Sequence, residues 1–190
     1  MARRELPKTL TADQVRALLA MPNLDCPSGL RDRALLALLH RCGLRVSEAC
    51  GLHLRDVRWA ERELHLRAEI TKGEKEAVLA LDDDTLAWLE RWKPVRRRHA
   101  QGAPWLFVTL KGKQLDRRNV WEMVRRRGAK AGVGRCTPHM LRHTYASELL
   151  REGFSIEEVR RLMRHEDIQT TAIYLHVHDA QLSAKVRGRR

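Results

Sequence analysis

Two histidines and an arginine crowd one short segment, Thr137-Pro-His-Met-Leu-Arg-His-Thr-Tyr-Ala146. On a helix, His139, Arg142, His143 and Ala146 follow i, i+3, i+4, i+7 spacing and share one face. Pro138 suits a first helical turn, so the face stands at a helix N-terminus, a place suited to an anion. A buried histidine and a surface arginine near a helix start would give the same spacing without chemistry. The segment Leu162-Met-Arg-His-Glu-Asp-Ile-Gln-Thr-Thr-Ala-Ile-Tyr174 offers an imidazole, His165, and a phenol, Tyr174. Thr170 and Thr171 beside a short helix would equally suit a capped helix with a core tyrosine. In Gly43-Leu-Arg-Val-Ser-Glu48, Arg45 follows a helix-stopping glycine, and Lys72 lies on a turn. In isolation both read as solvated cations.

The elements that must position these groups follow from periodicity and caps. Thr11-Ala-Asp-Gln14 is a capping box opening a helix with Val15, Leu18 and Leu19 as its apolar stripe. A second helix from about Ser28 carries Leu35, Leu36, Leu38 and Leu39 and stops at Gly43; a short helix over Val46 to Cys50 follows. From Glu63 the period changes to two: Leu64, Leu66, Ala68 and Ile70 predict a strand, Thr71 to Glu74 a turn, and Glu76 to Leu81 the returning strand. Asp82, Asp83 and Asp84 open a helix through Leu86, Leu89 and Trp92, which Pro94 is expected to end or kink. Trp105 to Thr109 is the expected third strand. Helices are predicted over Arg117 to Ala131, Pro138 to Glu152 and, from the capping box Ser155-Ile-Glu-Glu158, to about Arg164. A last short helix is expected over Asp167 to Leu175, followed by a basic tail. The fold class is α+β, mainly helical, with a small antiparallel three-stranded sheet.

The 190 residues allow one well-cored domain. With 37 Lys and Arg against 24 Asp and Glu, the net charge is +13, and the pI near 10.4 marks a polyanion binder. Nucleic acid leads among the candidates. No apolar run of about 20 residues could span a bilayer, and the first residues lack the apolar core of a signal peptide, so a soluble, cytoplasmic protein with no membrane partner is expected. Cys26, Cys42, Cys50 and Cys136 form no C-x-x-C pair and read as reduced core thiols. His165, Glu166 and Asp167 with His176 and His178 lack the helical spacing of a metal site. No metal and no cofactor are expected.

Taken together and in order, G-L-R-x-S-E, a turn lysine, H-x-L-R-H and L-x-x-H-x-x-x-x-T-T-x-x-Y resemble the tyrosine recombinases, the family of phage integrases and Xer-type resolvases. The resemblance runs from about Leu10 to Val177. It implies the tyrosine-recombinase catalytic fold over residues 1–175, with 176–190 a basic tail packing against a neighbouring protomer. It implies that Arg45 and Arg142 grip the scissile phosphate, that His139 and His165 are the active-site histidines, that Lys72 is the turn lysine with Lys75 its nearest rival, and that Tyr174 is the nucleophile. Glu48 and His143 match positions that brace the arginines. One position departs: the family usually has glycine before the second histidine, where this chain has Arg164. If that position needs a left-handed backbone, arginine is strained there.

The chemistry implied is strand cleavage and rejoining through a 3′-phosphotyrosyl intermediate. Fixed cationic donors suit the charge that builds on phosphoryl oxygens, and arginine forks bind phosphate bidentately. A phenol with a pKa of about 10 needs a base. His139 is the candidate base, Lys72 the candidate acid for the leaving 5′-oxygen, and His165 a phosphate donor. The covalent bond conserves the energy of the broken linkage. Tyr145 reads as a core residue instead.

The implied partner is double-stranded DNA, bound by a homo-tetramer that is monomeric when free. Arg96, Arg97 and Arg98, Arg125, Arg126 and Arg127, and Arg160 and Arg161 are candidate backbone contacts, which set affinity rather than sequence choice. Relatives carry an N-terminal core-binding domain that nothing here matches, so the chain is expected to be either the catalytic half of a longer protein or a short enzyme like the fimbrial-switch recombinases. A type IB topoisomerase-like nicking and resealing enzyme, a catalytically inactive DNA-binding module and a metal-dependent nuclease are the competing readings.

Overall fold

The computed structural model describes residues 8–165. Tyr174, the expected helix over 167–175 and the tail over 176–190 lie outside them. Helices α1 (Ala12–Ala20), α2 (Pro27–Arg41) and α3 (Val46–Gly51) come first. Strands β1 (Val57–Arg58), β2 (Glu63–Leu66) and β3 (Ala77–Ala80) follow, then α4 (Asp83–His99), α5 (Arg117–Lys130), α6 (Pro138–Arg151) and α7 (Ile156–Leu162). The α+β, mainly helical expectation holds.

α2 runs through the centre. Ala34 to Leu39 are buried, because α4 and α6 both pack on α2. A helix apolar all round belongs in a core, and each fully buried leucine contributes about 1.5–3 kcal/mol. Asp32, buried on α2, accepts from Arg31 at 2.8 Å and from Arg127 of α5 at 3.1 Å, tying the two helices. The segment before α1 is pinned to α6 by the Leu10 N–H donating to Thr144 Oγ1 at 2.9 Å. A second, smaller apolar cluster of Ala146, Leu149, Leu150, Val159 and Met163 seats α7 on α6.

The sheet is three-stranded and antiparallel, ordered β1-β2-β3, with Leu64 opposite Val57 on one side and Leu79 on the other. Its composition differs from the expectation in two ways. The strand predicted through Ile70 ends at Leu66, and Ala68–Ile70 form a 3-10 turn. Arg67 redirects the chain there: its guanidinium donates to Asp56 at 3.1 Å and to the Gly51 carbonyl at 2.8 Å. Nor does the 105–109 segment join the sheet. Trp105 makes an isolated bridge with His53, and the Leu106 N–H donates to the Leu52 carbonyl at 2.7 Å. β1 supplies the third strand, too short to show a period.

Pro94 neither ends nor breaks α4. It faces solvent, where the carbonyl left without its helical donor is open to water, while Trp92 and Arg96 on either side are buried. The expected capping boxes at Thr11 and Ser155 both form. Cys42, Cys50 and Cys136 are buried free thiols, and Cys26 is half-buried.

Gly43 turns the chain from α2 toward α3 with φ +55°. A methyl group there would come within 2.5 Å of Tyr145 Cδ1. Gly43→Ala therefore combines a left-handed backbone with a clash against α6, and we expect it to cost about 1–3 kcal/mol, read as a lower urea midpoint at unchanged m-value.

Candidate active site

The turn at Gly43 delivers Arg45 to the N-cap of α3. Glu48, one helical turn on, reaches back and accepts from the Arg45 N–H at 2.7 Å and from Arg45 Nη1 at 2.8 Å. Glu48 is fully buried. Burial alone would raise its carboxyl; Arg164, the bonds from Arg45 and then Arg142 outweigh that and leave it below the usual carboxylate range.

Arg142 comes from the start of α6, which Thr137 caps by accepting from the Met140 N–H at 3.3 Å. Its buried guanidinium donates to the carbonyls of Gly43 and Met163. It thus joins the turn after α2 to the end of α7. His165 follows directly and is 8% exposed. Its N–H donates to the Arg160 carbonyl at 3.0 Å, and its carbonyl accepts from Arg160 Nη1 at 3.1 Å. Burial, then the charges of Arg142, Arg45 and Arg164, push its imidazole down to about 4.

His143 is half-buried beside Arg142. Burial, His139 and Arg142 push it down to about 4 as well. His139 is exposed as a residue, yet loss of water on its inner side, then Arg142 and Arg45, lower its pKa. All three shifts favour the neutral imidazole, the form that can accept a proton or donate one hydrogen bond.

Lys72 stands exposed on the turn after the 3-10 segment. Thr71 shapes that turn, its hydroxyl donating to the Lys75 carbonyl at 2.8 Å and accepting from the Lys75 N–H at 3.1 Å. Lys72 and Lys75 line a cleft of about 380 Å³ together with Arg45, Arg160, Arg164 and His165. The structure thus brings Arg45, Lys72, Arg142 and His165 to one place, with His139 and His143 on its α6 side. Among the described residues no group of three His, Cys, Asp or Glu is arranged to hold a metal ion.

In the sequence, Arg164 stands out for its backbone alone. Its φ is +54°, the left-handed conformation anticipated for that position. Its side chain carries more. Arg164 Nη2 donates to Glu48 Oε2 at 2.9 Å and Nη1 to the Leu162 carbonyl at 2.9 Å, while its own carbonyl accepts from Arg45 Nη2 at 3.2 Å. No periodicity points to this; the only available signal was its seat beside His165.

The surface arginines divide. Arg96, expected to contact DNA, is turned inward at 6% exposure. Its guanidinium donates to the Trp105 carbonyl at 2.7 Å and to that of Ala103, because the 103–105 loop closes over α4. Arg127 is engaged by Asp32, and Arg125 by Glu122 at 2.9 Å. Arg160 and Arg161 both pair with Glu157, at 2.8 and 3.0 Å. Arg97, Arg98 and Arg126 are exposed.

An α+β fold that assembles this cationic site has close relatives. The solved XerA recombinase superposes with a TM-score of 0.85 at 28% identity, over 99% of this chain and 68% of its own. XerH recombinase, solved bound to its palindromic difH substrate, shares the fold with a TM-score of 0.82 at 23% identity, over 96% of this chain and 53% of its own. The architecture is the catalytic fold of the tyrosine recombinases. The phage integrase family profile matches residues 8–181, and the chain belongs to that family. The tyrosine recombinase XerD of Pseudomonas aeruginosa is 38% identical over 183 residues, 94% of this chain and 60% of the relative. XerD of Neisseria meningitidis serogroup B is 34% identical over 187 residues, 97% and 63% respectively. The chain thus spans about three-fifths of the length of these curated relatives.

The depressed histidines link stability to pH. They are neutral in the fold but protonate below about 6.5 once unfolded, so the unfolded chain binds more protons as pH falls. We expect the melting temperature to be flat above pH 6.5 and to fall progressively toward pH 4, where His143 and His165 protonate in the fold. His165→Gln should flatten that slope; an unchanged slope would count against the burial of a neutral His165.

Proposed function

We propose that this chain is the catalytic part of a site-specific recombinase that cleaves and rejoins double-stranded DNA through a 3′-phosphotyrosyl bond to Tyr174. The observation that carries the reading is the convergence of Arg45 and Arg142, from segments far apart in the chain, beside Lys72 and His165. Guanidinium forks fixed by protein acceptors suit an anion whose charge grows in the transition state. Family membership supports the same chemistry.

In this reading the scissile phosphate lies in the cleft against Arg45, and the buried Arg142, held on the Gly43 and Met163 carbonyls, adds its charge from the α6 side. His165, neutral, donates one hydrogen bond to a phosphoryl oxygen. His139, also neutral, takes the phenolic proton of Tyr174. The phenolate oxygen bonds to phosphorus as the bond to the 5′-oxygen breaks, and the Lys72 ammonium supplies the proton for that leaving oxygen. Return of a 5′-hydroxyl reverses the steps and needs no nucleotide energy source or cofactor. Lys75 and the exposed Arg97 and Arg126 would hold the DNA backbone, with lesser parts for Arg125, Arg160 and Arg161, already paired with carboxylates. The reading extends to a cytoplasmic protein, monomeric when free, acting as a homo-tetramer on two DNA sites. Among the described residues no helix is long and apolar enough to cross a membrane.

The test is covalent capture. The chain is incubated in EDTA at low salt with a library of nicked duplexes of randomised sequence, and denaturant-resistant protein–DNA adducts are collected. Wild type is expected to give an adduct and Tyr174→Phe none. Arg45→Lys and Arg142→Lys should slow adduct formation by about 10²–10³-fold, as for loss of one preorganised donor. No adduct from wild type, or an adduct that survives Tyr174→Phe, overturns the proposal.

A further inference from the structure

We propose that Arg164 is a positioning residue for strand cleavage, holding the guanidinium of Arg45 in its phosphate-facing orientation through Glu48 and through its own carbonyl. The inference rests on the phosphoryl-transfer reading above and names a residue that the reading does not use.

The geometry is reciprocal. Arg45 presents Nη1 to Glu48 Oε1 at 2.8 Å and Nη2 to the Arg164 carbonyl at 3.2 Å. Both ends of the fork therefore depend on Arg164: one on its carbonyl, the other on the carboxylate that its side chain grips at 2.9 Å. Glu48 Oε2 is shared between Arg164 Nη2 and the Arg45 N–H at 2.7 Å, so the carboxylate is fixed from two sides. The Arg164 side chain is only 12% exposed, and its Nη1 donates to the Leu162 carbonyl. Its guanidinium thus faces protein acceptors, which is the work of a brace.

The backbone makes the case independently. At φ +54° a side chain is disfavoured and glycine fits freely. The fold keeps arginine there although the carbonyl that receives Arg45 would remain with glycine. What glycine would remove is the guanidinium on Glu48. Without it the carboxylate keeps the bonds from Arg45 and the more distant charge of Arg142, and small misplacements of a group that orients a reacting centre lower the rate more than the affinity.

The experiment uses the duplex selected by covalent capture and compares wild type with Arg164→Gly, Arg164→Asn and Arg164→Lys in single-turnover adduct formation. Glycine and asparagine both accept the left-handed backbone, so loss of folding is not the expected result, and melting temperatures are measured alongside. Arg164→Gly and Arg164→Asn should form adduct about 10- to 100-fold more slowly at saturating DNA, with Kd for DNA within about threefold of wild type. Arg164→Lys should recover part of the rate, since an ammonium can still pair with Glu48. A wild-type rate in Arg164→Gly, a loss confined to Kd, or an Arg164→Lys rate no faster than that of Arg164→Gly each overturns the inference while leaving the recombinase reading intact. Absence of adduct from wild type overturns both.

Discussion

Glu48 is the group on which the arrangement turns. A fully buried carboxylate with no partner would cost several kcal/mol, so the fold can hold it ionised only with guanidiniums against it. The dependence also runs the other way. Arg45 is aimed by Glu48, which is itself fixed by closing the first turn of α3, and Arg164 is drawn to the same carboxylate from the far end of α7. One acidic side chain thereby caps a helix, neutralises part of a cationic cluster and joins segments separated by more than half the chain. Gly43 provides the complementary acceptor, its carbonyl receiving Arg142.

The imidazoles divide the labour with the arginines. Guanidiniums do not deprotonate in proteins and supply charge of fixed direction. Set among them and partly deprived of water, His139, His143 and His165 are driven toward the neutral form. Fixed charge and mobile protons are therefore carried by different side chains, and the same arginines that would attract a phosphate favour the unprotonated form of the histidines. Lys72 differs from all of these: it is exposed, on a turn shaped by Thr71 rather than by the core.

Where local chemistry decides, the sequence was readable. The capping boxes at Thr11 and Ser155, the stop at Gly43 and the apolar content of α2 each follow from a few neighbouring residues, and each formed. The errors came where distant partners decide. The strand expected through Ile70 was cut short by the pull of Asp56 and the Gly51 carbonyl on Arg67, which no alternation of apolar residues encodes. The Trp105 to Thr109 segment had strand composition but found its partners in the loop after α3. Pro94 did not break α4 because its position on the outer face leaves the lost bond to water. In the site, the family resemblance carried by four motifs in order implied Arg45, Lys72, Arg142 and His165, while the inward turn of Arg96 and the grip of Arg164 on Glu48 depend on three-dimensional proximity alone.

The site straddles two apolar cores of unequal size. Arg45 and Glu48 stand on the large one, whereas Arg164 and His165 follow a helix held by the small cluster of Ala146, Leu149, Leu150, Val159 and Met163, with Tyr145, Ile156 and Leu162 packed against it. Regions with so little buried apolar contact open at lower free energy than the whole molecule. Detachment of α7 would break the Arg142 bond to Met163 and the Arg164 bond to Glu48 while α2 and its surroundings stayed folded. The geometry of the cationic cluster is thus a property of a subglobal unit, lost when α7 detaches even while the larger core stays folded.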